Sequence, residues 1–280
     1  MRADSLFAAF GPAPSLALGL LSLLYLLASL YVYISLIHQI RARRANAPLA
    51  SAPPRTFGLP EAVLAALLIL FLLVISIGAS VSAPSIQFST GNLLANFLLT
   101  ALVVLFIVTL LHLRGFDISA LGGFFRISFL RALGTGAILL FFAYPLIVSC
   151  DAVTQRVFGG GSSKQNIVEV FSGSRTIEQR IVIIIFAVAV APVVEEFLFR
   201  FFIYGVLKRY FGVLLGVILS ALLFAAAHAH FPSFVPLFVL GSCFAVAYEW
   251  SGSILVAMTM HSLFNSLTLT ILAFPELFSQ

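Results

Sequence analysis

Three short stretches carry polar side chains able to do chemistry, each inside an apolar run. The first is Ala191-Pro192-Val193-Val194-Glu195-Glu196-Phe197-Leu198-Phe199-Arg200; the second pairs Phe224 with His228, and the third pairs His261 with Asn265. Glu196 and Arg200 stand four apart with the acid first, the favoured order for a helical ion pair, so Arg200 is expected to neutralise Glu196. Glu195 is turned about 100° from Glu196 on a helix of 3.6 residues per turn. It should face elsewhere, without that neighbour, and is the better candidate for general acid–base work. Phe224 and His228 share one helix face, as do His261 and Asn265. His230 lies about 200° away from His228 and reads as an interface residue. A single histidine in an apolar helix is as often a hydrogen-bonded packing group as a functional one. Three helices that each contribute polar groups point instead to a shared site.

Helices in a bilayer must position these groups. Of 280 residues, 61% are hydrophobic and 9% charged, whereas soluble domains carry about 25% charged residues. Charge-free runs of about 20 residues, enough to cross a hydrocarbon core of about 30 Å, recur along the chain. The expected architecture is all-α, a polytopic bundle of about eight transmembrane helices at 15–40, 61–83, 92–113, 128–150, 181–206, 214–231, 233–249 and 253–275. Pro84-Ser85 to Gly91-Asn92 separates the second and third helices, and Gly159-Gly160-Gly161-Ser162-Ser163 is the clearest flexible loop. Segment 164–180 mixes Lys164, Glu169, Arg175, Glu178 and Arg180 with apolar residues; it reads equally as an interfacial helix, a lid or a connecting loop. The N-terminal run lacks a small-residue cleavage site and ends in Arg41, Arg43 and Arg44, so it reads as a retained first helix.

The net charge of +5 is explained by topology rather than by a nucleic-acid partner. Arg41, Arg43, Arg44 and Arg55 fall between helices 1 and 2, Arg114, Arg126 and Arg131 flank the 3–4 loop, and Lys208 and Arg209 follow helix 5. These loops share one side, which the positive-inside rule makes the cytoplasm, with both termini outside. Cys150 and Cys243 read as packing residues, and His38 and His112 as interfacial. On depth, Glu195 lies about 22 Å from Arg180 and His261 about 15 Å from Ser251, so the two can meet near the bilayer middle. Counted from Arg209, His228 would be about 28 Å deep; a helix starting near Leu215 brings it to about 18 Å. A turn or interfacial segment is therefore expected at 207–214.

Taken together, Glu195-Glu196-x-x-x-Arg200, Phe224-x-x-x-His228 and His261-x-x-x-Asn265, in that order on successive apolar helices, resemble the three motifs of the CPBP family. That family comprises the CAAX-prenyl-processing and bacteriocin-processing intramembrane proteases, also called Abi. Tyr248-Glu249-Trp250-Ser251-Gly252-Ser253-Ile254 is also similar to family members. The resemblance covers about 127–275, so the chain divides into N-terminal helices (1–126) and a protease-like core (127–280). Phe201 departs from the glycine that many members place after the arginine.

The resemblance implies a multi-pass protein of the bacterial cytoplasmic membrane that hydrolyses a peptide bond of a membrane-associated peptide or protein. Glu195 and His228 would activate a water, His261 and Asn265 would bind the oxyanion, and Glu196, Arg200 and Phe224 would support them. No cofactor is favoured. Zinc held by Glu195, His228 and His261 is the alternative, although the His-Glu-x-x-His pair used by zincins is missing. A non-catalytic scaffold or immunity protein, or a proton-coupled transporter, is the competing reading; a transporter would be expected to show paired repeats, and the sequence has no internal repeat.

Overall fold

The computed structural model describes residues 16–46, 56–81, 90–158, 171, 174 and 176–274, and among them the regular structure is helical throughout. Arg55, the Pro84-Ser85 break, the Gly159–Ser163 loop and most of segment 164–180 lie outside the described residues, as do both termini. In chain order the elements are α1 (Leu16–Ala45), α2 (Leu59–Val81), α3 (Thr90–Leu113), a short α4 (Ile118–Gly122), α5 (Phe129–Phe158) and α6 (Ile177–Ile185). There follow a first π turn (Phe186–Val190), α7 (Ala191–Glu196), a second π turn (Phe197–Ile203) and α8 (Tyr204–Ala227). A 3₁₀ turn (Phe231–Ser233), α9 (Phe234–Ser251) and α10 (Ile254–Ala273) complete the bundle.

Seven helical stretches among the described residues are long and apolar enough to cross a membrane, making this an integral multi-pass protein. One of them, Ile177–Ala227, is 51 residues long, about twice what a bilayer requires. It is broken at Gly212, whose φ of 79° and ψ of 175° belong to a region open essentially to glycine alone. A Cβ on Gly216 would meet the Lys208 backbone at 3.1 Å, so the chain after Gly212 doubles back along the chain before it. The break divides the stretch into a long segment before Gly212 and a shorter one, 213–227, after it, with the turn inside the 207–214 window.

Element ends differ from the sequence expectation for local reasons. The fifth span begins at Ile177 rather than 181, because Thr176 and Gln179 form a reciprocal capping box there. α1 extends to Ala45, placing Arg41, Arg43 and Arg44 in its last turns rather than in a loop, where cations complement the helix dipole. α5 continues to Phe158, eight residues past the expected 150. α8 stops at Ala227 instead of 231: Ala229 turns into the left-handed region at φ 50°, and Pro232 opens the following 3₁₀ turn. His230 is thus extended rather than helical, and its Nδ1 pairs with Ser233 Oγ at 2.8 Å.

The basic loops gather at one end of the bundle. Glu249, near the end of α9, accepts from Lys208 Nζ at 2.6 Å and Tyr204 Oη at 2.8 Å, with Arg44 at 3.6 Å. Arg43 donates to the Trp250 carbonyl at 2.8 Å. Gly123 and Gly252, both left-handed at φ 63° and 65°, pack so closely here that a Cβ on Gly123 would run into the Gly252 carbonyl. The main buried core runs from Tyr33 and Leu36 through Ile107 and Leu111 to Phe202, Phe224, Phe244 and Met260, and a smaller cluster of Phe171, Ile183, Ala187 and Leu269 packs α6 and the first π turn against α10.

Candidate active site

The site is built where α7 meets α10. Glu196 is fully buried, and its Oε1 lies 3.1 Å from Arg200 Nη1, the expected i,i+4 pair. The same oxygen accepts from His261 Nδ1 at 2.9 Å. Glu196 is therefore not only a brace for its own helix; it touches the imidazole on α10. Glu195 approaches the other side of that ring, with Oε2 3.9 Å from His261 Nε2. The two acids point about 100° apart, yet both reach His261, because an imidazole presents a nitrogen at each of two edges and sits between them.

Arg200 has an enclosed seat. Its Nη2 donates to the Gly241 carbonyl at 3.2 Å, and its guanidinium carbon lies 4.3 Å from the Phe224 ring centre and 5.2 Å from that of Phe244. Cation–π contacts strengthen when desolvated, which helps a buried guanidinium remain there. Phe244 also stacks on His261, with ring centres 4.9 Å apart and planes 27° apart. Nothing in the sequence around Phe244 distinguished it from lipid-facing phenylalanines.

His228 caps α8, its Nδ1 facing the Phe224 carbonyl at 2.8 Å. The Phe224 ring stands edge-on to both histidines, 4.7 Å from His228 and 5.9 Å from His261 between ring centres. Among the described residues, His228 is engaged with the Phe224 carbonyl and Glu195 with His261, rather than with each other. Asn265 lies one turn beyond His261 on α10, and its Nδ2 donates to the Ala187 carbonyl in the first π turn at 2.7 Å. One amide proton is thus committed to the backbone and one remains. The Oε2 atoms of Glu195 and Glu196 are buried and accept no hydrogen bond from the described residues.

Zinc would require Glu195, His228 and His261 to converge, with His261 free to ligate. As arranged, no group of three His, Cys, Asp or Glu side chains among the described residues can hold a metal ion, and His261 Nδ1 already belongs to Glu196. The donor set does not fit the ion in this geometry.

The arrangement provides a partly exposed carboxylate beside a buried imidazole, a second, buried carboxylate fixing that imidazole, and an oriented amide at its edge. Such a set suits proton transfer at a polar bond drawn into the bilayer.

Residues 177–267 match the model of the Rce1-like family, described as type II CAAX prenyl endopeptidase Rce1-like. That stretch is shorter than the 127–275 expected from the motifs, and it contains all three of them. The chain is also 30% identical over 129 residues to the membrane-embedded CAAX protease MroQ of Staphylococcus aureus (strain USA300). The match covers 44% of this chain and 50% of that protein, so the chain spans about half the length of this curated relative. No solved structure matches the chain.

Proposed function

We propose that the chain is a CPBP-type intramembrane endopeptidase hydrolysing a peptide bond in a membrane-associated peptide or protein, a reading supported by the match of residues 177–267 to the Rce1-like model. The observation that carries the reading is the buried His261 imidazole held between Glu196 at 2.9 Å and Glu195 at 3.9 Å. Glu195 takes a proton from a water that His228 helps to orient, and the hydroxide attacks the scissile carbonyl carbon. A C–O bond forms as the carbonyl π pair moves onto oxygen. The remaining Asn265 N–H and His261 receive that oxyanion. With Nδ1 facing Glu196, Nε2 is the edge of the ring left to meet that oxygen. The tetrahedral intermediate collapses, the C–N bond breaks, and Glu195 returns its proton to the leaving amine.

The reaction is proposed without a metal, since no three donor side chains among the described residues converge on one point and His261 Nδ1 is taken by Glu196. The cytoplasmic face is proposed to be the end bearing Arg44, Lys208 and Glu249, following the positive-inside rule, which leaves both termini outside. The test is cleavage of a farnesylated peptide with a CAAX tail by purified protein in lipid nanodiscs. Wild type should cleave and Glu195→Gln should lose at least about 10²-fold in turnover; equal rates from the two would refute the reading.

A further inference from the structure

The partner of Asn265 follows from the hydrogen-bond accounting of the first π turn. In π geometry each carbonyl is met by the N–H five residues later, and the Ala191 N–H does bond the Phe186 carbonyl. The next carbonyl in that register is Ala187, whose partner would be residue 192. Residue 192 is proline and has no N–H, so the Ala187 carbonyl is left without an intrahelical donor. A carbonyl orphaned inside a bilayer must find a partner on a neighbouring helix, and the donor that meets it is Asn265 Nδ2 at 2.7 Å.

The same accounting holds at a second proline. Pro145 lies inside α5, and in α geometry its missing N–H orphans the carbonyl of Phe141, four residues earlier. That carbonyl accepts from Tyr25 Oη on α1 at 2.6 Å. Each proline thus opens one acceptor, and each acceptor is filled by a polar side chain from another helix. Only at Pro192 does the filling side chain stand one turn from His261.

We propose that Pro192 is a positioning residue of the site: by withholding an N–H in the π register it keeps the Ala187 carbonyl open, and that carbonyl fixes the Asn265 amide and the docking of α10 beside Glu195 and Glu196. Its catalytic part rests on the proteolytic reading above, whereas its backbone part does not.

The experiment is a double-mutant cycle of Pro192→Ala and Asn265→Leu, read by unfolding midpoint in detergent and by turnover of the farnesylated peptide. The alanine substitution restores an N–H to the chain. Asn265→Leu should therefore lower the midpoint by several degrees when Pro192 is present, and by less than a third of that drop in the Pro192→Ala background. Pro192→Ala alone should hold its midpoint within a few degrees of wild type, while kcat falls about 10- to 100-fold and KM stays within about twofold. If Pro192→Ala does not fold, Pro192→Val brings back the same N–H. Equal midpoint losses in both backgrounds would overturn the proposal. So would coupled midpoints with unchanged kcat in Pro192→Ala, since Pro192 would then not position the site. If wild type cleaves nothing, the proteolytic reading and the positioning role fail together, and the midpoint cycle still decides whether Pro192 opens the carbonyl that Asn265 fills.

Discussion

Removing Glu196 tests whether the buried pair supports the fold or the chemistry. Arg200 and Glu196 are 1% and 0% exposed and 3.1 Å apart. Breaking such a pair from one side leaves a buried charge uncompensated and costs about 3–5 kcal/mol. Glu195 is 30% exposed, and its nearest basic atom is His261 Nε2 at 3.9 Å; neutralising it should cost about 0–1 kcal/mol. For chains of this size each kcal/mol moves the melting midpoint by about 2–4 °C. Glu196→Gln should then melt about 6–20 °C below wild type, and Glu195→Gln within about 4 °C of it. Replacing both partners, as Glu196→Leu with Arg200→Met, should recover part of the loss, because an apolar pair substitutes for a buried ion pair at little cost while His261 Nδ1 and the Gly241 carbonyl lose their partners. The assay is thermal unfolding in detergent, read by a thiol-reactive fluorophore on buried Cys243 in a Cys150→Ser background. A lower midpoint for Glu195→Gln than for Glu196→Gln, or a double variant as unstable as Glu196→Gln alone, would refute this assignment.

Three further outcomes are expected. Gly212→Ala has open space around it but forces a Cβ into a glycine-only conformation, so it should cost about 1–3 kcal/mol; Gly134→Ala, helical and equally open, should be neutral or slightly stabilising in the same melt. Gly136→Leu would bring its Cβ to 2.6 Å from Thr259 Oγ1 and 3.0 Å from Met260 N, wedging α5 from α10 directly ahead of His261, and peptide turnover should fall at least about 10²-fold. Asp117, the N-cap of α4, is held below the usual carboxylate range by hydrogen bonds from the Ser119 hydroxyl and then the Ala120 N–H. A depressed value means that its stabilisation is present above the unfolded pKa of 3.8 and is lost as pH falls through the folded one. Protection of the Ala120 amide against hydrogen exchange should therefore persist at about pH 5 and fade below 3.8; pH-independent protection would remove Asp117 from that role.

Much of this was legible from spacing. Four-residue intervals anticipated the Glu196–Arg200 pair and the shared faces of Phe224 with His228 and of His261 with Asn265. Depth arithmetic anticipated a turn near Gly212, because a straight helix would have carried His228 too far. The contact between Glu196 and His261 was not legible: a rotation rule assigns directions on one helix and says nothing of a ring on another helix lying between two directions. The π turns were hidden for a similar reason. Phe186–Val190 and Phe197–Ile203 read as ordinary apolar helix, and the shift from four-residue to five-residue bonding leaves no compositional trace. The one available signal was Pro192. A proline inside a spanning helix guarantees an orphaned carbonyl, and asking which side chain fills it would have led to Asn265.

The region matched to the family does not stand alone in the packing. Phe57, ahead of α2, sits edge-on to Phe201 and Phe202 at 6.2 and 6.0 Å between ring centres, and a Cβ on Gly205 would lie 2.5 Å from it. Those phenylalanines belong to the π turn that carries Arg200. Phe57 is in turn held at the start of α2, where fully buried Glu61 accepts from the Gly58 N–H at 2.6 Å and pairs with Arg114 at the end of α3. At the other flank, Arg44 of α1 reaches Glu249, which also takes Tyr204 and Lys208 of α8. A π turn is less favourable than α geometry and persists where surrounding contacts over-determine it. Phe57 supplies such contacts to the second π turn, so the register that seats Arg200 under Glu196, and through it His261, depends on residues outside the matched stretch.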